Sequence, residues 1–179
     1  MKTEKDDDLE IEKKFKIKKL PENLSQYKKK VIEQGYLCTN PIVRIRRSNE
    51  DYILTYKSLF GLEENKETKN QEAKICHELE FPLNKEGYEH LREKIDGNLI
   101  SKTRYLIPLK QEGYSLKAEL DIFEGSLKGL VIVEVEFPTI EIMKKFQSPE
   151  WFGEDVSNDK RYTNNYLATV SKLDIDIFS

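Results

Sequence analysis

Residues 9–18 have the sequence LEIEKKFKIK, in which apolar and charged side chains alternate along most of the stretch. Alternation with a period of two is typical of a β-strand, because successive side chains point to opposite faces of a sheet. Glu10, Glu12 and Lys14 therefore share one face, and Leu9 and Ile11 lie on the other. The stretch predicts a strand with ionisable groups along one side.

Alternating or β-rich segments recur along the chain and predict further strands. They cover residues 36–39, 42–47, 52–58, 74–82, 99–109, 114–124 and 130–137.

Three segments have helical signals. Residues 21–34 begin with a proline and stop before a glycine, residues 84–95 begin with an asparagine cap, and residues 160–173 form a third candidate. The polar segment 59–73 is predicted to be a loop. Many strands with short connections and few helices indicate an antiparallel sheet or barrel with flanking helices.

Length and composition limit the classes of protein. The 179 residues predict a single domain over 1–179, with residues 1–8 as a disordered lead. The 30 basic and 33 acidic residues leave a net charge of −3, which argues against a broad nucleic-acid-binding face. Two cysteines and two histidines are too few for a disulfide framework or a zinc site.

The segments that direct proteins to membranes are also missing from the sequence. No apolar run approaches 18 residues, and the N-terminal MKTEKDDD is unlike a secretory signal. We therefore expect a cytoplasmic protein with neither a membrane nor a nucleic-acid partner. The sequence leaves open whether it forms a homodimer.

The charged residues of each predicted strand fall on one face. Pairs or triplets at i, i+2 spacing are Arg44 with Arg46, Thr55 with Lys57, Glu78 with Glu80, Lys102 with Arg104, Lys117 with Glu119 and Asp121, and Glu134 with Glu136. They could form the wet faces of an amphipathic sheet. Alternatively, they converge inside a barrel of about eight strands, whose interior holds side chains or a small ligand.

A charged interior is costly unless it stays wet or binds a matching ligand, because each buried ion loses hydration. Clustered Arg and Lys match phosphate oxygens, whereas clustered Asp and Glu match hard divalent cations. A ligand that needs both is a metal-bound polyphosphate. The residues by themselves indicate this class of ligand.

The pentapeptide EIEKK at residues 10–14 matches the E-x-E-x-K signature of the CYTH, or triphosphate tunnel metalloenzyme, superfamily. Matching motifs follow in order at 35–37 (GYL), 43–46 (VRIR), 54–57 (LTYK), 78–80 (ELE), 102–105 (KTRY), 119–121 (ELD) and 133–137 (VEVEF). The segments 151–156 (WFGEDV) and 160–162 (KRY) resemble the tail of the small bacterial inorganic triphosphatases. The resemblance covers about residues 9–170.

This resemblance implies an α+β, mainly β fold: a closed eight-stranded antiparallel β barrel with flanking helices, whose tunnel holds a triphosphate lengthwise. It implies phosphate contacts from Lys14, Arg44, Arg46, Lys57, Lys102 and Arg104, with Arg161 reaching in from the C-terminal helix. It implies a Mg²⁺ or Mn²⁺ site, with candidate ligands Glu10, Glu12, Glu134 and Glu136 and an acidic wall completed by Glu78, Glu80, Glu119 and Asp121. Tyr36, Lys57 and Lys102 are the candidate catalytic residues.

Two features depart from the family pattern, and several activities share the fold. Cys76 occupies a place where relatives often carry arginine, for which Lys74 is a candidate substitute, and the loop 59–73 is longer than in compact relatives.

The expected reaction is metal-dependent hydrolysis of tripolyphosphate to pyrophosphate and phosphate. The alternatives are a class IV adenylate cyclase, a thiamine triphosphatase, and a non-catalytic polyphosphate-binding module.

Overall fold

The computed structural model describes residues 9–58, 74–111 and 113–170. Its strands are β1 (Leu9–Ile17), β2 (Lys28–Thr39), β3 (Ile42–Ser48), β4 (Asp51–Ser58), β5 (Lys74–Leu83), β6 (Asp96–Gln111), β7 (Tyr114–Phe123), β8 (Val131–Glu136) and β9 (Phe152–Asp155). Its helices are α1 (Lys85–Arg92), α2 (Ile140–Lys145) and α3 (Asn164–Leu167). Short 3₁₀ turns cover Leu24–Gln26, Gly125–Leu127 and Lys160–Tyr162.

Eight strands close into an antiparallel barrel. They follow the order β5-β4-β3-β2-β6-β7-β8-β1, and β1 pairs again with β5, so that the ring has no free edge. The short β9 adds to β1 outside this ring. The prediction of a closed eight-stranded antiparallel barrel with flanking helices is confirmed.

The predicted separation of faces holds around the barrel. Apolar residues on the outer faces of β1, β6, β7 and β8 form one core cluster, which α2 and β9 cover. Phe15, Val133, Val135 and Phe152 are at most 5% exposed in it. Because side chains alternate along a strand, burying these residues outside the barrel turns the ionisable residues between them into its lumen.

A second apolar cluster closes one end of the barrel. Tyr36 and Ile100, on β2 and β6, pack there with Tyr162 of the last 3₁₀ turn and Leu167 of α3. The backbone N–H of Asn98 also donates to the carbonyl of Ala168 at 2.7 Å, which fixes the C-terminal segment against the start of β6. The charged part of the lumen therefore has an apolar plug at this end.

The predicted helix over residues 21–34 is wrong. The first part of the segment contains only the 3₁₀ turn Leu24–Gln26, and residues 28–34 belong to β2, which runs to Thr39. The proline start and the glycine stop are local preferences, and pairing of β2 with both β3 and β6 overrides them. Ile32, Gln34 and Tyr36 alternate into the barrel and are buried.

The other helix predictions fare better. The helix predicted at 84–95 is observed as α1, where the Asn84 side chain accepts a hydrogen bond from the backbone N–H of Gly87 at 2.7 Å. The helix predicted at 160–173 is broken into a 3₁₀ turn and α3, and its last residues lie outside the described ranges. So do the predicted loop 59–73 and the predicted lead 1–8. The sequence reasoning missed both α2 and β9.

In the described parts of the chain, no helix is long and apolar enough to cross a membrane.

Gly97 is the glycine whose replacement should cost most. Its φ is +72°, and a Cβ there would lie 2.6 Å from the carbonyl oxygen of Ala168. Gly113 also has a positive φ, +81°, but a Cβ would meet nothing within 4 Å. Gly113→Ala should therefore cost about 1 kcal/mol of unfolding free energy from the backbone alone. Gly97→Ala should cost clearly more in the same urea denaturation series, and equal costs would contradict this packing of the plug.

Candidate active site

The barrel brings most of the predicted site residues together around one cavity. The predicted residues that line it are Glu10, Glu12, Lys14, Tyr36, Arg44, Arg46, Lys57, Glu78, Lys102, Arg104, Glu119, Glu134 and Glu136. They come from all eight strands of the ring. Six cations thus face six carboxylates in a narrow space. Glu80 lies at the wider mouth beyond it, together with Lys30, Ser48 and Asp51.

Arg104 is the centre of the largest ion-pair network in this lumen. Its Nε and Nη2 donate to the two oxygens of Asp121 at 2.6 Å each, and Nη2 also contacts Glu134 at 2.7 Å. Its Nη1 donates to Glu119. A bidentate arginine–carboxylate pair fixes the guanidinium plane as well as its position. These four residues belong to β6, β7 and β8, so the network holds three neighbouring strands in register.

Two lysines extend this network. Lys102 Nζ lies 2.5 Å from Asp121 Oδ2, and both side chains are 1% exposed. Lys14 Nζ lies 2.8 Å from Glu134 and donates to the backbone carbonyl of Tyr162 at 3.1 Å. Burial acts to raise the pKa of Glu134, but Lys14 and Arg104 outweigh it and hold that pKa well below its usual value. Glu134 is therefore an anion that two cations already share.

A second network occupies the opposite wall. Lys57 on β4 pairs with Glu10 on β1 and, at 3.0 Å, with Glu78 on β5. The Nη2 of Arg44 lies 3.3 Å from Oε1 of Glu78. Burial, and then the charge of Glu12, raise the pKa of Glu10 to about 8 in spite of Lys57. Burial opposes ionisation of Glu78, but Lys57 and then Arg44 lower its pKa to about 2.

Glu12 and Glu136 form a pair of facing carboxylates, and the charge of Glu12 also acts on Lys14 and Lys57, raising the pKa of both lysines. They are direct partners in the register between β1 and β8, and both line the cavity. Among the residues described, neither carboxylate makes an ion pair or a side-chain hydrogen bond. Burial, and then Glu119, raise the pKa of Glu136. Like charges directly opposite on neighbouring strands destabilise a sheet, so this pair suits a bound cation.

The remaining lining residues include a set of buried donors without partners. Within the described ranges, the Nε2 of Gln34 and the Nε atoms of Arg44 and Arg46 are buried and donate to no hydrogen-bond partner. Tyr36 is 3% exposed, and burial raises the pKa of its phenol. The sequence reasoning missed Gln34, because it assigned residues 21–34 to a helix. The signal that could have found it is its i, i+2 spacing to Tyr36.

Two predicted site residues lie elsewhere. Arg161 is on the Lys160–Tyr162 turn, where its guanidinium is 45% exposed and lies 2.6 Å from Asp159, outside the cavity lining. Asp121 is fully buried behind the lining, and both its oxygens are bound by Lys102 and Arg104. Its position is that of an anchor for cations.

The departure at Cys76 has a local explanation. Its thiol is 2% exposed and donates to Glu10 at 3.3 Å, so it adds a weak partner for that carboxylate where an arginine would add a charge. The side chain of Lys74, the candidate substitute, lies outside the described residues.

Asp121→Ala should strongly destabilise the protein, because it leaves Lys102 and Arg104 buried with fewer partners. Removing one partner of a buried ion pair typically costs about 3–5 kcal/mol. Glu154→Ala is the control, since its pair with Lys16 is 3.2 Å long and exposed, and such pairs contribute about 0.2–1 kcal/mol. The measurement is the free energy of unfolding in urea. Similar losses for the two variants would show that Asp121 does not anchor the network.

Comparison with known proteins agrees with this geometry. No family model matches the chain. It is 35% identical over 162 residues to an inorganic triphosphatase of Nitrosomonas europaea, covering 89% of this chain and 96% of that protein. It is 33% identical over 160 residues to an inorganic triphosphatase of Acetivibrio thermocellus, covering 88% and 92% respectively.

Solved structures show the same relationship. The crystal structure of the inorganic triphosphatase NE1496 matches with a TM-score of 0.62 at 32% identity, covering 92% of this chain and 97% of that one. A protein of Pyrococcus horikoshii matches at a TM-score of 0.52 and 21% identity, which supports the fold alone. The identities above 30% over nearly the full length of both chains show that this chain belongs to the inorganic triphosphatases of the CYTH, or triphosphate tunnel metalloenzyme, superfamily.

Proposed function

We propose that this protein hydrolyses inorganic tripolyphosphate to pyrophosphate and phosphate inside its barrel, with a divalent cation as cofactor. The observation that carries the proposal is a lumen in which six cations and six carboxylates surround one narrow cavity. The cations suit phosphate oxygens, and the carboxylates suit a hard cation that neutralises the remaining charge of the phosphates. The names of the relatives support inorganic triphosphate as the substrate.

The carboxylates available for a metal fit Mg²⁺ or Mn²⁺. No group of three or more His, Cys, Asp or Glu is preassembled for a metal within the described ranges. Glu12 and Glu136 nevertheless face each other without a salt bridge to another described residue, and oxygen ligands of this kind suit these metals, which keep several waters. We assign these two residues as the primary ligands, with Glu10 and Glu134 beside them. A bound metal would supply charge neutralisation and polarise phosphate oxygens.

The cationic side chains would position the phosphate chain. Arg104, Lys102 and Lys14 lie on one side of the cavity, and Arg44, Arg46 and Lys57 on the other. Their carboxylate partners hold them in place before the substrate arrives, so little reorganisation is needed when it binds. Phosphoryl transfer depends mainly on such positioning and on stabilisation of the charge that develops on the leaving group. Arg161 does not line the cavity, so we assign it no contact with the phosphate chain.

Lys57 and Lys102 are both candidates for the general acid, and Lys102 is better suited to give a proton to the leaving oxygen. Burial lowers the pKa of Lys102, and Asp121 only partly offsets this. Burial also acts to lower the pKa of Lys57, but Glu12, Glu10 and Glu78 outweigh it and raise that pKa. Tyr36, whose raised pKa keeps its phenol protonated, can donate a hydrogen bond to a phosphate oxygen but is a poor base.

The competing activities differ in what occupies the wider mouth. A cyclase acting on ATP or a thiamine triphosphatase would place an organic group there, where Asp51, Glu80 and Lys30 make the surroundings polar. Among the residues that line this mouth, only Ile32 and Ile53 are apolar, which is little surface for packing against a nucleobase or a thiamine ring. A pure polyphosphate binder would not need the unpaired Glu12 and Glu136. A cytoplasmic location remains a prediction that rests on the sequence, which leaves open whether the protein forms a homodimer.

The reaction can be tested by product analysis with tripolyphosphate, ATP and thiamine triphosphate in the presence of Mg²⁺ or Mn²⁺. We expect tripolyphosphate to be cleaved fastest, to pyrophosphate and phosphate, and the activity to disappear with EDTA and return with added metal. Formation of cyclic AMP would support the cyclase instead. Binding without turnover of any substrate would support the binding module, and full activity after chelation would rule out the metal.

Glu12→Gln tests the metal assignment. The variant keeps the shape but removes the repulsion from Glu136 together with the attraction to Lys14 and Lys57, so the stability of the empty protein should change little. Turnover should nevertheless collapse, and the Mn²⁺ dissociation constant measured by calorimetry should rise. Glu50→Gln, at an exposed position in the turn between β3 and β4, is the matched control. Unchanged metal affinity in Glu12→Gln would exclude this residue as a ligand.

A further inference from the structure

Gln34 is the one amide side chain of β2 that is buried in the lumen, and within the described residues its nitrogen has no partner. It is 1% exposed, it lines the cavity, and among the described residues no acceptor lies within reach of its Nε2. A buried amide donor without a partner is disfavoured, because it has lost its hydrogen bonds to water. A retained donor of this kind is explained if a ligand completes its hydrogen bonding.

The neighbours of Gln34 indicate what kind of ligand this is. Gln34 pairs in register with Arg46 of β3, whose Nε is also buried without a partner. Arg44, two residues away on β3 and paired with Tyr36, also has a buried Nε without a partner. In the described parts of the chain, every buried side-chain nitrogen or oxygen without a hydrogen-bond partner is thus an N–H donor. The missing ligand must supply acceptors, as the oxygens of a phosphate do.

The position of Gln34 along the barrel places this ligand. Tyr36 lies on the plug side of Gln34, whereas Ile32 lies on the side of the wider mouth. Arg46 lines both the narrow cavity and the wider mouth. Gln34 and Arg46 therefore stand together where the two spaces join, at a point that a phosphate chain lying lengthwise would cross.

We propose that Gln34 is a substrate-binding residue: its Nε2 and the Nε of Arg46 donate to the same phosphate group of the bound triphosphate. The inference rests on the proposed function and adds an uncharged contact to it. The lining already balances six cations with six carboxylates, so a neutral amide adds a donor without disturbing that balance.

Gln34→Met tests the proposal, because it keeps the length of the side chain and removes only the amide. The ligand-free variant should melt at the same temperature as the wild type or higher, since an unsatisfied buried donor is gone. Its dissociation constant for tripolyphosphate, measured calorimetrically in EDTA so that no turnover intervenes, should rise about ten- to hundredfold. KM with Mg²⁺ should rise in the same proportion. Gln26→Met, at an exposed glutamine outside the lumen, is the control and should match the wild type.

Two further variants separate the outcomes. Gln34→Glu keeps the shape but replaces the donors by a charge, so its affinity for tripolyphosphate should fall further than that of Gln34→Met. In a double-mutant cycle with Arg46→Lys, the two losses should be non-additive if both residues hold one phosphate. Wild-type affinity in a folded Gln34→Met would overturn the proposal. A wild-type protein that neither binds nor cleaves tripolyphosphate would instead overturn the proposed function itself.

Discussion

Ion pairing across the lumen is the constraint on which the barrel depends. A guanidinium or carboxylate loses several kcal/mol of hydration when it is buried, and only partners at hydrogen-bond distance restore it. Arg104 meets this demand through Asp121, Glu119 and Glu134, which lie on two neighbouring strands. Each cation of the lining has at least one carboxylate partner in the same way. The strands must therefore stay in one register, because a slip of one residue would turn these charges to the outside.

Two apolar clusters, the outer core and the plug, surround the charged interior and provide the hydrophobic burial that the lumen lacks. Apolar side chains on the outer faces of β1, β7 and β8 pack beneath α2 and β9, so the hydrophobic core of this protein lies largely outside the barrel. The cluster around Tyr36 and Leu167 closes one end. The wider mouth lies away from this plug, and its cations are Lys30, Arg46 and Arg104.

The carboxylates and the hydrogen-bond donors that lack partners in the lumen indicate what it can bind. In the part of the chain that the structure describes, Glu12 and Glu136 face each other without a salt bridge, while Gln34, Arg44 and Arg46 hold donors without acceptors. These two deficits have opposite sign and lie in one cavity. A phosphate chain together with a divalent cation would satisfy both, with little rearrangement of side chains that ion pairs already hold. Such preorganisation is the main source of catalysis in phosphoryl transfer.

The sequence alone determined which charged residues share a face of a strand, because the side-chain direction along a strand is a local property. The alternation at 9–18 placed Glu10, Glu12 and Lys14 on one face, and that at 42–47 did the same for Arg44 and Arg46. The ordered motifs predicted the family and, through it, the closed barrel into which these faces turn. The tertiary structure decided what local patterns do not encode. It made residues 28–39 a strand, since pairing with β3 and β6 outweighs local helix signals. It also gave Asp121 and Glu12 different surroundings, although both are acidic residues on inward faces. The partners of a carboxylate come from strands that can be distant in the chain, so the local sequence does not reveal them. Asp121 is held by Lys102 and Arg104, and Glu12 is left facing Glu136.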